Sequence, residues 1–375
     1  MGLPLRPGYH GRRDDVKGIA FLPRACARAK IRLPVKLASK FFLPEEAIVN
    51  LLENQNGIVN CLGAPWPEDL SLAFLDRLHS QGVRVVGCTA NLTWDDTLES
   101  IEGFETVKAI VRAHSRAYIL RGVNDLDQAE NRDKVGVLLG LQNPKALSDS
   151  LRLLDAFYDL GLRCLSLAFS ENSYYGCGHA CEVDTGLTSL GRRAIERMNQ
   201  LGIVIDLSHS GDRTALEALE VSEQPVIFSH STSRNLFNRP RSVPDPLIVA
   251  AAKKGGVVCQ DVRANTSVAE YVDWVDYCVK LVGVDHVGVA AQDDFHRSYK
   301  DTLRIAPYVP TYAAELKKRD WNDDRVVRRE GIGAGLLDRE NLAAEFSRRN
   351  YSDDAFGKIL GGNLLRVLRK VLAHN

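Results

Sequence analysis

Residues 202–230 read GIVIDLSHSGDRTALEALEVSEQPVIFSH, and this stretch decides the fold. The apolar run Ile203 to Leu207 stops at Ser208-His209, and a second run, Pro225 to Phe228, stops at Ser229-His230. Between them the spacing predicts a helix with Asp212 as its N-cap and Ala215, Leu216 and Leu219 as its apolar face. Strand–helix–strand of this kind is a parallel unit, in which the two strands lie side by side. Both imidazoles then emerge at one rim, the C-terminal face where barrel enzymes carry their chemistry. Two histidines converging there suggest a divalent metal. The competing reading is two unrelated core or surface histidines, and their matching positions in consecutive units argue against it.

Outward from this unit the pattern repeats. Ile58–Leu62, Val83–Thr89, Val135–Leu141, Cys164–Phe169, Val257–Val262 and Val287–Ala291 are apolar on both faces, as buried parallel strands are. Helical spacing lies between them at Pro67–Gln81, Thr97–Ser115, Leu147–Leu160, Leu187–Leu201 and Val268–Val282. Eight such units specify a closed α/β fold, a (β/α)8 TIM barrel over residues 57–375, with Glu340–Arg348 and Asp353–Ala373 as closing helices. The alternative is an open doubly wound sheet, but no G-x-G-x-x-G opens the first helix.

The chain has 375 residues, 45% of them hydrophobic, with Lys+Arg 48 balancing Asp+Glu 48. That balance points away from nucleic acid as a partner, and no apolar run is long enough for a membrane span. Several of the eight cysteines sit in apolar strands, as reduced, buried thiols of a cytoplasmic protein would. Residues 1–56 form a separate basic N-terminal extension, Arg/Lys-rich and acid-poor as far as Lys40. It lacks a secretory h-region and cleavage site. Packing on the barrel or on a second subunit, disorder, and a transit peptide are its competing readings.

Residues at the strand ends are the site candidates. His209 and His230 are the metal ligands, and Asp293 and Asp294 after the last strand are acid–base groups, or else a solvated loop pair. Arg241, in RPRSVPD, can grip a substrate carboxylate through both guanidinium nitrogens, or be an ordinary loop arginine. Gln142, Phe169 and Asn172 complete the substrate-binding candidates. Cys177-Gly178-His179-Ala180-Cys181 offers three soft ligands without the usual C-x2-C spacing, and reads otherwise as a loop over the site.

IDLSHSGDRTALEAL, PVIFSHSTSR, RPRSVPD, GVDHVGVAAQDDF and NYSDDAFGKILGGNLLRVL together make the chain from Gly57 on resemble the membrane (renal-type) dipeptidases, zinc peptidases of the amidohydrolase-like barrel class. The resemblance implies a (β/α)8 barrel, a homodimer, two zinc ions sharing a carboxylate, and dipeptide cleavage. It makes His209 and His230 the late-strand zinc ligands and Arg241 the substrate-carboxylate arginine. Asp294, or Asp293 if no insertion precedes the Asp-Phe pair, becomes the catalytic acid–base. The sequence also departs from the family. Leu62 and Ala64 stand where a His-x-Asp pair binds zinc, Gln142 where the bridging Glu stands, and Phe169 where a substrate-binding His stands.

The expectation is therefore a dipeptidase-like hydrolase of a small amide or dipeptide-like substrate, with a reduced, mononuclear site holding one zinc or other divalent ion. A lyase or isomerase using the same pocket with little or no metal, and a catalytically inactive homologue, are the alternatives. Leu62, Ala64 and Phe169 make the pocket more apolar than the family's, which favours a substrate with an apolar or aromatic portion.

Overall fold

The computed structural model describes residues 57–64, 70–91, 95–128, 131–261, 266–290 and 339–373. The basic segment 1–56, Asp293 and Asp294 lie outside the described residues.

Among the described residues nine strands form one parallel sheet: β1 Ile58–Ala64, β2 Val83–Thr89, β3 Ala117–Ile119, β4 Val135–Leu141, β5 Cys164–Ser166, β6 Val204–Asp206, β7 Ile227–Ser231, β8 Val257–Asp261 and β9 Val287–Ala290. Eight run in the order β1-β2-β4-β5-β6-β7-β8-β9, and β9 returns against β1, giving the expected (β/α)8 barrel. The eight apolar runs of the sequence are these eight strands. The ninth, β3, was not expected. It pairs with Val135, Gly136 and Val137 of β4, while the short β5 pairs only with Gly140 and Leu141. β3 thus fills the wall below β5, and a run as short as Ala117–Ile119 carries too little pattern to read as a strand.

The described helices are α1 Leu72–Ser80, α2 Thr97–Arg112, α3 Val123–Asp127, α4 Leu151–Leu160, α5 Ser189–Leu201, α6 Asp212–Val221, α7 Asp245–Lys253, α8 Val268–Val282, α9 Arg339–Arg348, α10 Asp353–Gly357 and α11 Asn363–Leu372. Several open on the caps the sequence supplies, since a side-chain oxygen satisfies an otherwise orphaned amide there. Asp96 and Ser267 form capping boxes with Glu99 and Glu270, and Ser71 and Thr188 cap α1 and α5. In the central unit the expected cap is displaced by one residue. Gly211 is the N-cap of α6, and Asp212 sits in the first turn. Its carboxylate accepts from both terminal nitrogens of Arg234, at 2.5 and 2.7 Å. The buried face of α6 is Thr214, Ala215, Ala218 and Leu219, whereas Leu216 is exposed.

Asp353–Ala373, expected as one helix, is broken by a π-helical turn over Lys358–Gly362. The turn lies against β1 and β9 where the barrel closes. A Cβ on Gly361 would come within 2.3 Å of the Gly57 carbonyl oxygen, so only glycine fits at this seam. Asn363 Nδ2 donates to the carbonyls of Val284 (2.7 Å) and Val287 (2.8 Å), tying the start of α11 to the entry of β9. Beyond it, Leu364, Leu365, Val367, Leu368, Val371 and Leu372 pack into one apolar cluster with Val59, Cys61, Val85, Leu138, Cys164, Val204, Ile227 and Cys259 of the barrel. Arg366 and Arg369 stay on the outer side and bind the carbonyls of Gly255 and Asp285 and the carboxylate of Asp127. α11 therefore floors the barrel at the end opposite the strand C-termini.

Candidate active site

The register of the central unit sets the site. Asp206 of β6 pairs with Ile227 of β7. Three residues on in each strand direction are His209 and His230, so the two imidazoles arrive at the same height. Their Nε2 atoms are 2.9 Å apart. His230 lies inside β7 rather than past its end, because β7 runs on to Ser231. His209 lies in the turn before α6 with φ 73°, a left-handed conformation that a side chain rarely adopts.

The turn is held by the loop after β5. The His179 amide donates to the His209 carbonyl at 2.7 Å, and the Gly211 amide to the Cys177 carbonyl at 2.9 Å. Gly178 allows this approach: a Cβ there would come within 2.5 Å of the Phe169 carbonyl oxygen. Phe169 stacks on the His209 ring with centroids 4.1 Å apart and planes 25° from parallel. The His179 ring lies 5.4 Å from it on centroids, its Nδ1 3.2 Å from the His209 carbonyl oxygen.

Below the pair is a buried carboxylate. Asp206, 3% exposed, accepts from the amides of Ser208 and Ser229, both at 3.0 Å to Oδ1. On Oδ2 it accepts from Ser229 Oγ at 2.5 Å and Ser166 Oγ at 3.4 Å. Ser229 Oγ is also 2.6 Å from His230 Nδ1. Ser208 Oγ accepts from the His230 amide at 3.2 Å.

Charge and burial keep the histidines neutral. Loss of hydration pushes His209 and His230 well below the usual imidazole range, and the Arg241 guanidinium acts in the same sense on both. His179 is pushed down to about 4, again by burial first and Arg241 second. A neutral imidazole has a lone pair to offer a cation. Arg241 is anchored beside the pair: it donates to the His230 carbonyl at 2.8 Å and to Ser231 Oγ at 3.2 Å.

The other candidates divide. Gln142 Nε2 donates to Thr89 Oγ1 at 2.9 Å, with Gln142 6% exposed. Asn91, two residues past β2, is 1% exposed, and among the described residues neither of its side-chain amide atoms has a hydrogen-bond partner. Polar atoms so placed await water or a ligand. Asn172 is exposed and accepts from Cys181 Sγ at 2.8 Å. Cys177 is buried 3.3 Å from Thr185 Oγ1, so the thiols of the 177–181 loop are engaged in its own packing. Next to the loop is a cleft of about 340 Å3, lined by His179, Cys181, Asp184, Asp212, Arg234 and Arg239 among others.

Among the described residues no three His, Cys, Asp or Glu side chains come together around one point. Two neutral imidazoles converge there, and their 2.9 Å separation is close to the ~3.3 Å that two nitrogens take on a tetrahedral ion, so His209 and His230 would hold a divalent cation together with further ligands from outside this pair. Among the described residues, Leu62 is buried and apolar, and Gln142 is a neutral amide that donates to Thr89, so neither offers a charged ligand for a second ion. Sequence reasoning passed over Asp206, Ser208 and Ser229. Their signal was the twice-repeated Ser-His dipeptide ending the two central strands.

Fold and rim together define a TIM barrel with its candidate site at the C-terminal ends of the strands. The profile of one family, Membrane dipeptidase (Peptidase family M19), matches residues 93–329, and the chain belongs to that family. Dipeptidase 3 of Mus musculus is 30% identical over 280 residues, 71% of this chain and 51% of that protein. The chain spans about half the length of the Dipeptidase 3 relatives it matches. Two solved structures share the fold. An amidohydrolase from Pseudomonas aeruginosa superposes with a TM-score of 0.73 at 22% identity, covering 87% of this chain and 99% of the other. The probable dipeptidase PvdM from the same organism gives 0.67 at 18%, covering 89% and 100%.

Proposed function

We propose that this protein is a dipeptidase-like hydrolase of a small amide or dipeptide-like substrate, working with one divalent ion, zinc by family, held on His209 and His230. The observation that carries this is the convergence of two neutral Nε2 atoms at 2.9 Å on the strand-end rim. When bound, the ion supplies Lewis-acid chemistry at the scissile carbonyl. Arg241, beside the pair, faces the substrate carboxylate as a fixed cation. Phe169 supplies an apolar wall, which favours a substrate with an apolar or aromatic portion. Asn91 offers a neutral amide for its polar groups. Asp294, with Asp293 as its neighbour, takes up and returns the proton. A homodimer and a cytoplasmic setting belong to the same reading. The latter is supported by cysteines that are free wherever described, while no helix among the described residues is long and apolar enough to cross a membrane.

One observation favours a second reading. A separation of 2.9 Å is also a good imidazole-to-imidazole hydrogen bond, as an acid–base pair in a lyase or isomerase would make. Metal analysis of the purified protein, paired with hydrolysis assays on dipeptides and aromatic amides, separates the two. About one divalent ion per chain, lost together with hydrolysis in His209→Ala, is the result expected. Two ions would contradict the single-ion site. No ion, with turnover intact, would establish the acid–base reading, and no ion with no turnover an inactive homologue.

A further inference from the structure

The contacts beneath the histidines fix more than their position. Ser229 has one hydroxyl hydrogen and two close neighbours, Asp206 Oδ2 at 2.5 Å and His230 Nδ1 at 2.6 Å. Asp206 Oδ1 accepts from two backbone amides, and both neighbours of Oδ2 are hydroxyls able to donate, an arrangement that suits an ionised carboxylate. The hydroxyl hydrogen therefore points to Asp206. The 2.6 Å contact on the other side then needs its hydrogen on Nδ1. Ser208 Oγ, 3.3 Å from Ser229 Oγ, already accepts from the His230 amide and is free to donate its own hydrogen to Ser229. Each hydrogen in the chain has one acceptor. The consequence is that the Nε2 of His230 carries the lone pair, 2.9 Å from His209.

We infer that Asp206 and Ser229 are positioning residues that lock His230 in the Nδ1–H tautomer and so aim its Nε2 lone pair into the site. The aspartate touches neither substrate nor ion and acts through the serine. Outer partners of this kind orient a ligating imidazole, and their loss weakens metal binding by roughly 10- to 100-fold. The effect on cation affinity rests on the metal reading of the site given above, whereas the tautomer does not.

The test uses the full chain labelled with 15N-histidine, free of metal, and reads the His230 tautomer from its two ring nitrogen shifts. Affinity for zinc is then measured by competition with a chelator. The wild type should show a protonated Nδ1. Ser229→Ala, a small change at one side chain, should shift His230 toward the other tautomer and weaken zinc binding about 10- to 100-fold. Ser229→Thr should restore both, and Asp206→Asn, if it folds, should resemble the alanine variant. A protonated Nε2 in the wild type, or an unchanged tautomer in Ser229→Ala, would overturn the inference. A wild type that binds no zinc while Ser229→Ala still changes tautomer would remove the metal reading and leave the positioning role standing.

Discussion

His209 Nε2 and His230 Nε2 lie 2.9 Å apart although 21 positions separate them in the chain. The pairing of Asp206 with Ile227 produces this directly, since each histidine follows its paired residue by three. In a parallel sheet a fixed register carries chemistry from two strands to one height.

Replacing His209 tests site and backbone at once. His209→Ala and His209→Gly should each lower divalent-cation affinity by roughly 100-fold or more, beyond the loss of an outer partner. They should differ in stability. With φ at 73°, alanine keeps the left-handed strain and glycine does not, so the glycine variant should be the more stable by ~1 kcal/mol in denaturant unfolding. Equal stabilities would mean that the turn relaxes.

Stability should fall in acid. His179, His209 and His230 are held below their ordinary 6.5 in the folded protein, so the unfolded chain binds protons first as pH drops. Their contribution is fully present above pH 6.5. It is lost through the window from 6.5 to about 4 for His179, and to lower pH for the pair. The slope is at most about 1.4 kcal/mol per pH unit for each histidine. His179→Asn should flatten it between pH 6.5 and 4 in urea titrations at stepped pH.

Phe169 stacks on His209, with ring centroids 4.1 Å apart. Phe169→Ala should cost about 1 kcal/mol for the lost ring pair and weaken zinc binding by freeing the imidazole. Phe169→His should shift the ratio of kcat/KM for aromatic amides over polar dipeptides toward the polar ones. An unchanged ratio would remove Phe169 from the substrate wall.

Gln142→Glu should place a carboxylate at a position now 6% exposed. Without metal the variant should melt lower, since a buried charge lacking a cationic partner is costly, by roughly 1–3 kcal/mol. Zinc should raise its Tm by more than it raises the wild type's. If zinc leaves that difference unchanged, position 142 does not face the cation.

Much of the barrel was legible because parallel strands are apolar on both faces, and runs such as Val135–Leu141 have no other comfortable place. β3 escaped because three residues carry no period. Leu216 was assigned to the wrong face of α6 because spacing gives a helix its stripe but not its rotation against the barrel. The sequence places His209 and His230 at strand ends and Arg241 in the RPRSVPD loop, and the structure brings the three side chains close together. His179 was visible only as part of a possible soft-metal loop, and its role in bracing His209 arises from a backbone contact that no side-chain pattern encodes. The Asp206–Ser229 contact is likewise a product of register.

The floor helix α11 has a consequence for how the molecule can be watched. Cys61, Cys164 and Cys259 are buried in the cluster it covers. Burial pushes all three thiols above their ordinary range, so they are silent toward alkylating reagents while the helix is docked. Undocking of residues 363–372 would wet these sulfurs. They are built-in reporters for an opening of the barrel interior, and their labelling rate would time it.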